Sequence, residues 1–454
     1  MTVYLAIDAD RARTIAEDLL VESPREAGGF YALAAIRRGQ RMRLLLGERF
    51  EVESHWDRQD VDLLTPNGQS ISAAVSCSNS AGTGLAFVHT HPFDDRPPSL
   101  SAIDRRTAAR LGRAFSDLID GPFAALVVAP GGWGGAFVTA QGDLREIERI
   151  ALVGRKLSVQ AGRRQGRSRG IAFDDRQRRA LGEASSAQLR SMHVTIVGVG
   201  GTGSPAAEIL ARMGVGRLTL IDPDIVEHSN VPRIFGAAAS DVLQSRAKVD
   251  VVGDSVRRLG LGVDVLSVRG DIRDVVLQEH LLSADVVVGA TDNHSSRAVM
   301  TELAVKAGLT FIDMGVRVGV RRNGDLDSLL LERRIQVPGG PCLWCWGRLD
   351  PSRIAEELLP ADRKERLMAE GYVTGSAEAP EPSVTALTAS AGAIASSGLL
   401  ALLAGALAHQ PLAVQIDTLS GLGARISGED PDPDCICRKW KSTWFEPAGY
   451  KVGA

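Results

Sequence analysis

One stretch constrains this chain more than any other. His193-Val-Thr-Ile-Val-Gly-Val-Gly-Gly-Thr-Gly-Ser204 runs from an apolar strand through a glycine-rich turn into the helical pattern Pro205 to Gly214. Glycines 198, 200 and 203 let the backbone turn tightly and approach a phosphate, while the helix that follows points its first amides at the anion. The next strand, Arg217-Leu-Thr-Leu-Ile, ends at Asp222, about twenty residues beyond the turn, where such a fold places an acid against ribose hydroxyls. The stretch therefore predicts an α/β unit with a mostly parallel sheet and a nucleotide at its edge. By itself it fits a dinucleotide enzyme and an ATP enzyme equally.

The residues downstream separate the two. Adenylation binds three phosphates with a metal and stabilises charge as pyrophosphate departs, so it needs cations that a dinucleotide does not. Asp222-Pro-Asp224-Ile-Val-Glu-His-Ser-Asn230-Val-Pro-Arg233 offers acids for the ribose and an Asn/Arg pair for phosphates. Lys248 opens the next helical stretch, and Thr291-Asp292-Asn293 closes a strand with an acid suited to Mg2+. Arg176, upstream, is a candidate to reach into a partner subunit's site. These residues resemble the ThiF/MoeB-type activating enzymes, from Phe173 to the C-terminal tail. The resemblance implies that Gly198, Gly200, Gly201 and Gly203 form the ATP turn and that Asp222, with Asp224 near, meets the ribose. It further implies that Asn230, Arg233 and Lys248 bind phosphates, that Asp292 holds Mg2+, and that Arg176 acts across a homodimer.

The chain's 454 residues leave room for more than this one unit. A net charge of −3 gives no electrostatic case for nucleic acid. No charged segment followed by an apolar run opens the chain, so the expected location is the cytoplasm. The run from Ser383 to Pro411 lacks charge but is rich in Ala, Gly, Ser and Thr, which suits a close-packed buried helix better than a membrane span. Cys342-Leu-Trp-Cys345 and Cys435-Ile-Cys437 are thiol pairs of the kind that ligate metal in a reducing compartment. In the family they form one structural zinc site. Cys77 stands apart as a small buried hydrophobe.

A second chemistry lies near the start. A helix is expected over Asp8 to Leu20, followed by Glu26 ahead of a glycine pair and an apolar strand. Leu85-Ala-Phe-Val-His89-Thr-His91-Pro92 places two imidazoles at i and i+2 on one strand face. Asp104, at the head of a helix expected over Arg105 to Leu118, completes a His2Asp set that leaves one metal position open for water. Glu26, His89-Thr-His91-Pro92 and Ser101-Ala-Ile-Asp104 resemble the JAB/MPN (JAMM) metalloproteases. The resemblance implies Zn2+ on His89, His91 and Asp104, Glu26 as general base, and Ser101 at the oxyanion. A hairpin, Phe123 to Ala129 with Gly135 to Thr139, is expected to close this domain.

The expected organisation is therefore a JAB/MPN α/β domain over residues 1–155, a basic linker over 156–172, and a Rossmann-like ThiF domain over 173–454. The expected function is ATP-dependent adenylation of the terminal glycine of a ubiquitin-like or sulfur-carrier protein, joined to trimming or deconjugation of the same class. The expected cofactors are ATP, Mg2+ and Zn2+ at a catalytic and a structural site. The partners are a carrier with a Gly-Gly tail, a separate thiol-bearing acceptor and a second copy of the chain, with neither membrane nor nucleic acid. Two rivals remain open: adenylation of a sulfur carrier or peptide in metabolite assembly, and an inactive scaffold that binds a ubiquitin-like partner.

Overall fold

A computed structural model describes residues 1–53, 55–161, 175–360, 362–363, 366, 383–420, 423–426 and 430–443. The chain divides into two compact units, chiefly Met1–Ser168 and chiefly Arg169–Val305 with Leu309–Cys437.

In the first unit, strands β1 (Thr2–Asp8), β2 (Gly28–Arg38), β3 (Arg41–Arg49), β6 (Gly84–Thr90), β7 (Phe123–Ala129), β8 (Gly132–Val138), β9 (Leu144–Val153) and β10 (Ser158–Ala161) form one sheet. A small pair, β4 (Trp56–Gln59) and β5 (Leu64–Pro66), lies apart from it. The order is β1-β3-β2-β6-β7-β8-β9-β10, and β9 also pairs in parallel with β1, so the sheet returns on itself. The central strands are apolar on both faces because both are covered. Tyr31, Ala86, Val88, Leu126 and Val128 join one core with Ile15 and Leu19 of the helix Ala9–Leu20, whose N-terminus Asp8 caps. Phe30, Leu85, Phe87, Phe123 and Val127 join the other, with Ala108, Leu111 and Phe115 of the helix Ala102–Phe115. Strand parity therefore points His89, two residues after Phe87, toward the face that carries Asp104.

Three expectations change here. The helix expected at Arg105 to Leu118 begins at Ala102 and ends at Phe115, because Ser101 caps it. The β7–β8 hairpin does not close the domain: the chain goes on as β9, antiparallel to β8, and its apolar end, residues 150–153, is pinned between neighbouring strands. Residues 158–161 of the expected linker pair with β9 as β10, and positions 162–172 lie outside the described residues.

The second unit holds β11 (His193–Val197), β12 (Arg217–Asp222), β13 (Asp264–Arg269), β14 (Val286–Gly289), β15 (Thr310–Val320), β16 (Leu326–Gln336), β17 (Ala413–Asp417) and β18 (Gly423–Ile426). Their order is β13-β12-β11-β14-β15-β16-β17-β18, parallel from β13 to β15 and antiparallel thereafter. The antiparallel half follows from the tight turn Arg321–Asp325, whose Gly324 has φ 89°. The chain reverses direction across the sheet between β11 and β14, and in open α/β sheets the crevice beyond the strand ends at that switch is where ligands bind.

The uncharged run forms the helix Thr385–Ala404, packed on β15, β16 and the helix Gly203–Arg212. A side chain at Gly392 would lie 2.8 Å from the Ala206 nitrogen, which explains the small residues. By length and composition this helix could cross a bilayer, yet Leu387, Ala391, Ala395, Leu399 and Leu402 are all buried against the protein. The helix expected from Phe173 to Leu189 spans Asp175–Ser191 and is interrupted at Gly182, φ 81°. The polar crossover expected from Asp350 to Thr385 opens as a short helix, Pro351–Glu357, and lies largely outside the described residues beyond 360.

Candidate functional site

The glycine turn is built by the strands it joins. Gly198, φ 87°, donates its N–H to the Ile221 carbonyl at 2.8 Å. The Asp222 carboxylate accepts from Val199 N at 2.8 Å and Asp224 N at 3.0 Å, so this acid holds two loops in register. Burial pushes its pKa up, against the pull of Lys248 and those amides. Lys248, first residue of its helix, reaches Asp224 Oδ2 at 2.8 Å.

Together these elements line a cavity of about 860 Å³ with Gly198, Gly200, Gly201, Asp222, Asp224, Arg233, Lys248 and Asp292 on its walls. Its size is that of sites which enclose a small molecule. The Asp292 carboxylate makes no hydrogen bond among the described residues. Three sequence candidates stand off the cavity. Gly203 packs against the turn from behind. Asn230 accepts from Glu227 N and donates to Ser229 Oγ, both at 3.3 Å, and braces its own loop. Arg176 is exposed on the helix Asp175–Ser191.

The cavity continues over β15 and β16 into residues that sequence reasoning missed. Arg297 Nε donates to Asp313 Oδ1 at 3.0 Å, with both side chains almost wholly buried. Glu332 takes Arg334 at 2.9 Å, Arg348 at 3.0 Å and the Gln415 amide at 2.7 Å. At the cavity rim, Glu357 accepts from His294 N and Ser295 N at 2.9 and 2.7 Å, capping the helix His294–Ala307 from the crossover side. None of these residues belongs to a local motif. The one hint was Glu332 and Arg334 at i and i+2, on one strand face.

Cys342, Cys345, Cys435 and Cys437 converge. Their sulfurs lie 3.9 Å (342–345), 3.5 Å (342–435) and 3.5 Å (345–437) apart. Four thiolates about 2.3 Å from a tetrahedral zinc stand about 3.8 Å from one another, so the cluster fits that ion. Hydrogen bonding from Cys437 draws the Cys342 thiol down to about 6 against the effect of burial.

In the first unit, Gly28 pairs with His89 across β2 and β6, which sets Glu26 beside His91. A side chain at Gly28 would meet Val88 O at 2.8 Å and Leu64 Cδ2 at 2.7 Å, so the close pairing needs glycine there. His89 Nε2 lies 3.5 Å from Asp104 Oδ1, and His91 Nε2 lies 3.3 Å from Asp104 Oδ2 and 3.7 Å from Glu26 Oε1. The donor atoms of His89, His91 and Asp104 all fall within 4.8 Å of each other. Both ring nitrogens of His89 and Glu26 Oε2 are buried with no hydrogen-bond partner among the described residues. Such orphaned atoms cost free energy unless something binds them, and a metal on His89, His91 and Asp104 would partner one of the two His89 nitrogens. His91 Nδ1 meets Asp94, 3.1 Å away, an orienting contact absent from the sequence reading.

Burial raises the Glu26 carboxyl to about 7, against the pull of His91. Burial also opposes ionisation of Asp104, but the facing imidazoles of His89 and His91 outweigh it and hold that carboxyl well below the usual range. Ser101 is exposed and engaged as a cap: its Oγ accepts from Asp104 N at 3.1 Å, and its N–H donates to Asp104 Oδ2 at 2.7 Å. It thus fixes Asp104 in place.

The switch-point crevice, the glycine turn and the flanking Asp222, Arg233, Lys248 and Asp292 are the parts of a nucleotide-type site on a Rossmann-like sheet. The chain belongs to the ThiF family, whose model matches residues 175–437. It is 31% identical to the SAMP-activating enzyme E1 of Haloferax volcanii, over 42% of this chain and 64% of that protein. It is also 31% identical to the sulfur carrier protein ThiS adenylyltransferase of Bacillus subtilis, over 36% of this chain and 46% of the relative. With the adenylyltransferase and sulfurtransferase MOCS3 of Sus scrofa it shares 29% identity, over 60% and 53% of the two chains. The chain thus spans about half to two thirds of these relatives' lengths.

Proposed function

We propose that the second unit adenylates the terminal glycine of a ubiquitin-like or sulfur-carrier protein with ATP, and that the first is a JAB/MPN zinc peptidase acting on the same class of protein. The observation that carries the adenylation reading is one crevice bringing the glycine turn, Asp222, Arg233, Lys248 and Asp292 together at the switch point. A carboxylate oxygen of the tail attacks the α-phosphorus, the bond to the bridging oxygen breaks, and pyrophosphate leaves. Arg233 and Lys248 stabilise the charge that develops on the departing phosphates. Lys248 exchanges its contact with Asp224 for one with phosphate, while Asp222 keeps the turn in shape for the ribose. Asp292 would hold Mg2+, which supplies phosphate charge neutralisation when bound. Arg176 completes the site across a homodimer.

In the first unit His89, His91 and Asp104 would hold Zn2+, which supplies Lewis-acid polarisation when bound. Glu26 takes the proton of the attacking water and returns it to the leaving amine. Its buried carboxyl, shifted to about 7, has both protonation states populated near neutrality, as that shuttle requires. The four thiols would hold a structural zinc. This chemistry belongs to the cytoplasm, where free thiols persist. Names of the relatives support the carrier class: one activates SAMP proteins and another adenylates ThiS.

The test is pyrophosphate exchange. Label passing from pyrophosphate into ATP only when a Gly-Gly-ended carrier is added supports the reading. Exchange absent with every such carrier makes the chain a binding scaffold instead.

A further inference from the structure

The cavity of the second unit changes sign along its length. Around the glycine turn, Asp222, Asp224, Asp271 and Asp292 outnumber Arg233 and Lys248, which suits a nucleotide arriving with its metal. Beyond β14 the balance reverses. Arg317, Arg334, Arg348 and Arg353 line that end against Glu332 and Asp350. Glu332 is shared by two guanidiniums, and Asp350 accepts from Ser352 N to cap its own helix. Arg317 and Arg353 are exposed, with neither a hydrogen bond nor an ion pair among the described residues. The Nε of Arg334 is buried without a hydrogen-bond partner, and the Nε of Arg348 faces Asp313 Oδ2 at 3.5 Å, a carboxylate already taken by Arg297.

The sheet fixes the distance. Val197, Gly289, Asp313 and Arg334 lie in one row across β11, β14, β15 and β16. Three strand spacings make about 14 Å from the start of the glycine turn to Arg334, and two spacings with four residues along β15 make about 16 Å to Arg317, spans an extended peptide covers in about four to five residues. Resting on the adenylation reading, we propose that the tail entering this cavity carries an acidic side chain three to five residues from its terminal glycine, held by Arg317 and Arg353 over the Glu332-anchored pair. A carboxylate there relieves the excess of cations, whereas a lysine at that place meets four arginines.

The experiment uses the full chain, a non-cleavable ATP analogue and fluorescent ten-residue peptides ending in Gly-Gly, with Glu, Gln or Lys fourth from the end. Fluorescence anisotropy is expected to show the Glu peptide binding about tenfold tighter than the Lys peptide, the worth of one charge-assisted contact. In Arg317→Glu with Arg353→Glu that order should vanish or invert. Equal affinities for Glu and Lys peptides, or binding of none, overturn the inference. Pyrophosphate exchange with the same peptides separates the two claims. Charge-selective binding without exchange counts against adenylation alone, and exchange without charge preference counts against the acidic tail alone.

Discussion

Three glycines in one turn give three different expected outcomes for the same added methyl. At Gly203 a Cβ would sit 1.8 Å from the Gly198 carbonyl oxygen and 3.2 Å from Ala290 Cβ. Non-bonded carbons prefer about 3.5–4.0 Å, so the helix Gly203–Arg212 would have to retreat from the turn by more than about 1 Å. Overpacking of that size costs about 1–3 kcal/mol. Helix propensity by itself argues the other way, favouring Ala over Gly by up to about 1 kcal/mol, so the sign of the change is diagnostic. A displacement near 1 Å at a positioning loop also lowers turnover by on the order of 100-fold. At Gly200 a Cβ meets nothing within 4 Å but faces the cavity. Gly200→Ala should therefore leave stability within about 0.5 kcal/mol and weaken ATP binding alone. At Gly201 the Cβ would lie 3.0 Å from Arg233 Cδ, so Gly201→Ala keeps the fold and moves the arginine. Hydrogen exchange of peptides across 193–212 reads local stability, while equilibrium dialysis and pyrophosphate exchange read the site. A Gly203→Ala protein more stable than wild type, or one with unchanged exchange, refutes the close-contact reasoning.

Glu332→Ala should destabilise the second unit by about 3 kcal/mol, since it strands the largely buried Arg334 and leaves Arg348 only the Asp313 carboxylate that Arg297 also uses; a loss under about 1 kcal/mol in hydrogen exchange across 326–336 would contradict this. Burial opposes ionisation of Glu332, but Arg348 and Arg334 outweigh it and lower its pKa below the ordinary 4.5. Its contribution is therefore complete above pH 4.5 and lost as pH falls through the lowered value, so wild type and Glu332→Ala should converge in strong acid. His89→Ala should remove one zinc and Cys342→Ser the other, while Glu26→Gln keeps both by elemental analysis but loses peptidase activity; loss of zinc from Glu26→Gln would make that residue a ligand. The chain has no cysteine between Cys345 and Cys435, so no thiol is at hand in the crossover to take the acyl group. Incubation with ATP and a Gly-Gly carrier should give no thiol-sensitive adduct on a non-reducing gel, and such an adduct would identify one of the five cysteines as a nucleophile.

What the sequence determined by itself is whatever a few adjacent residues specify through backbone geometry. The glycine spacing at 198, 200 and 203, the acid ending β12, two histidines on one strand face and the close thiol pairs are local patterns, legible because turn, helix and strand periods are properties of neighbouring residues. Locality hides a second use of the same residue. Ser101 three residues before Asp104 is a cap as much as a candidate catalytic group, and Asn230 before Arg233 braces its loop. Tertiary structure alone decided which distant groups meet. It brought Cys342 to Cys435, closed β9 onto β1, and joined Arg297, Glu332, Arg348 and Gln415 into the wall of one cavity with Asp313 buried behind them. These contacts join residues from separate elements, and no short-range period encodes them. They exist because sheet order and register, fixed by burial of both sheet faces, place the strands side by side.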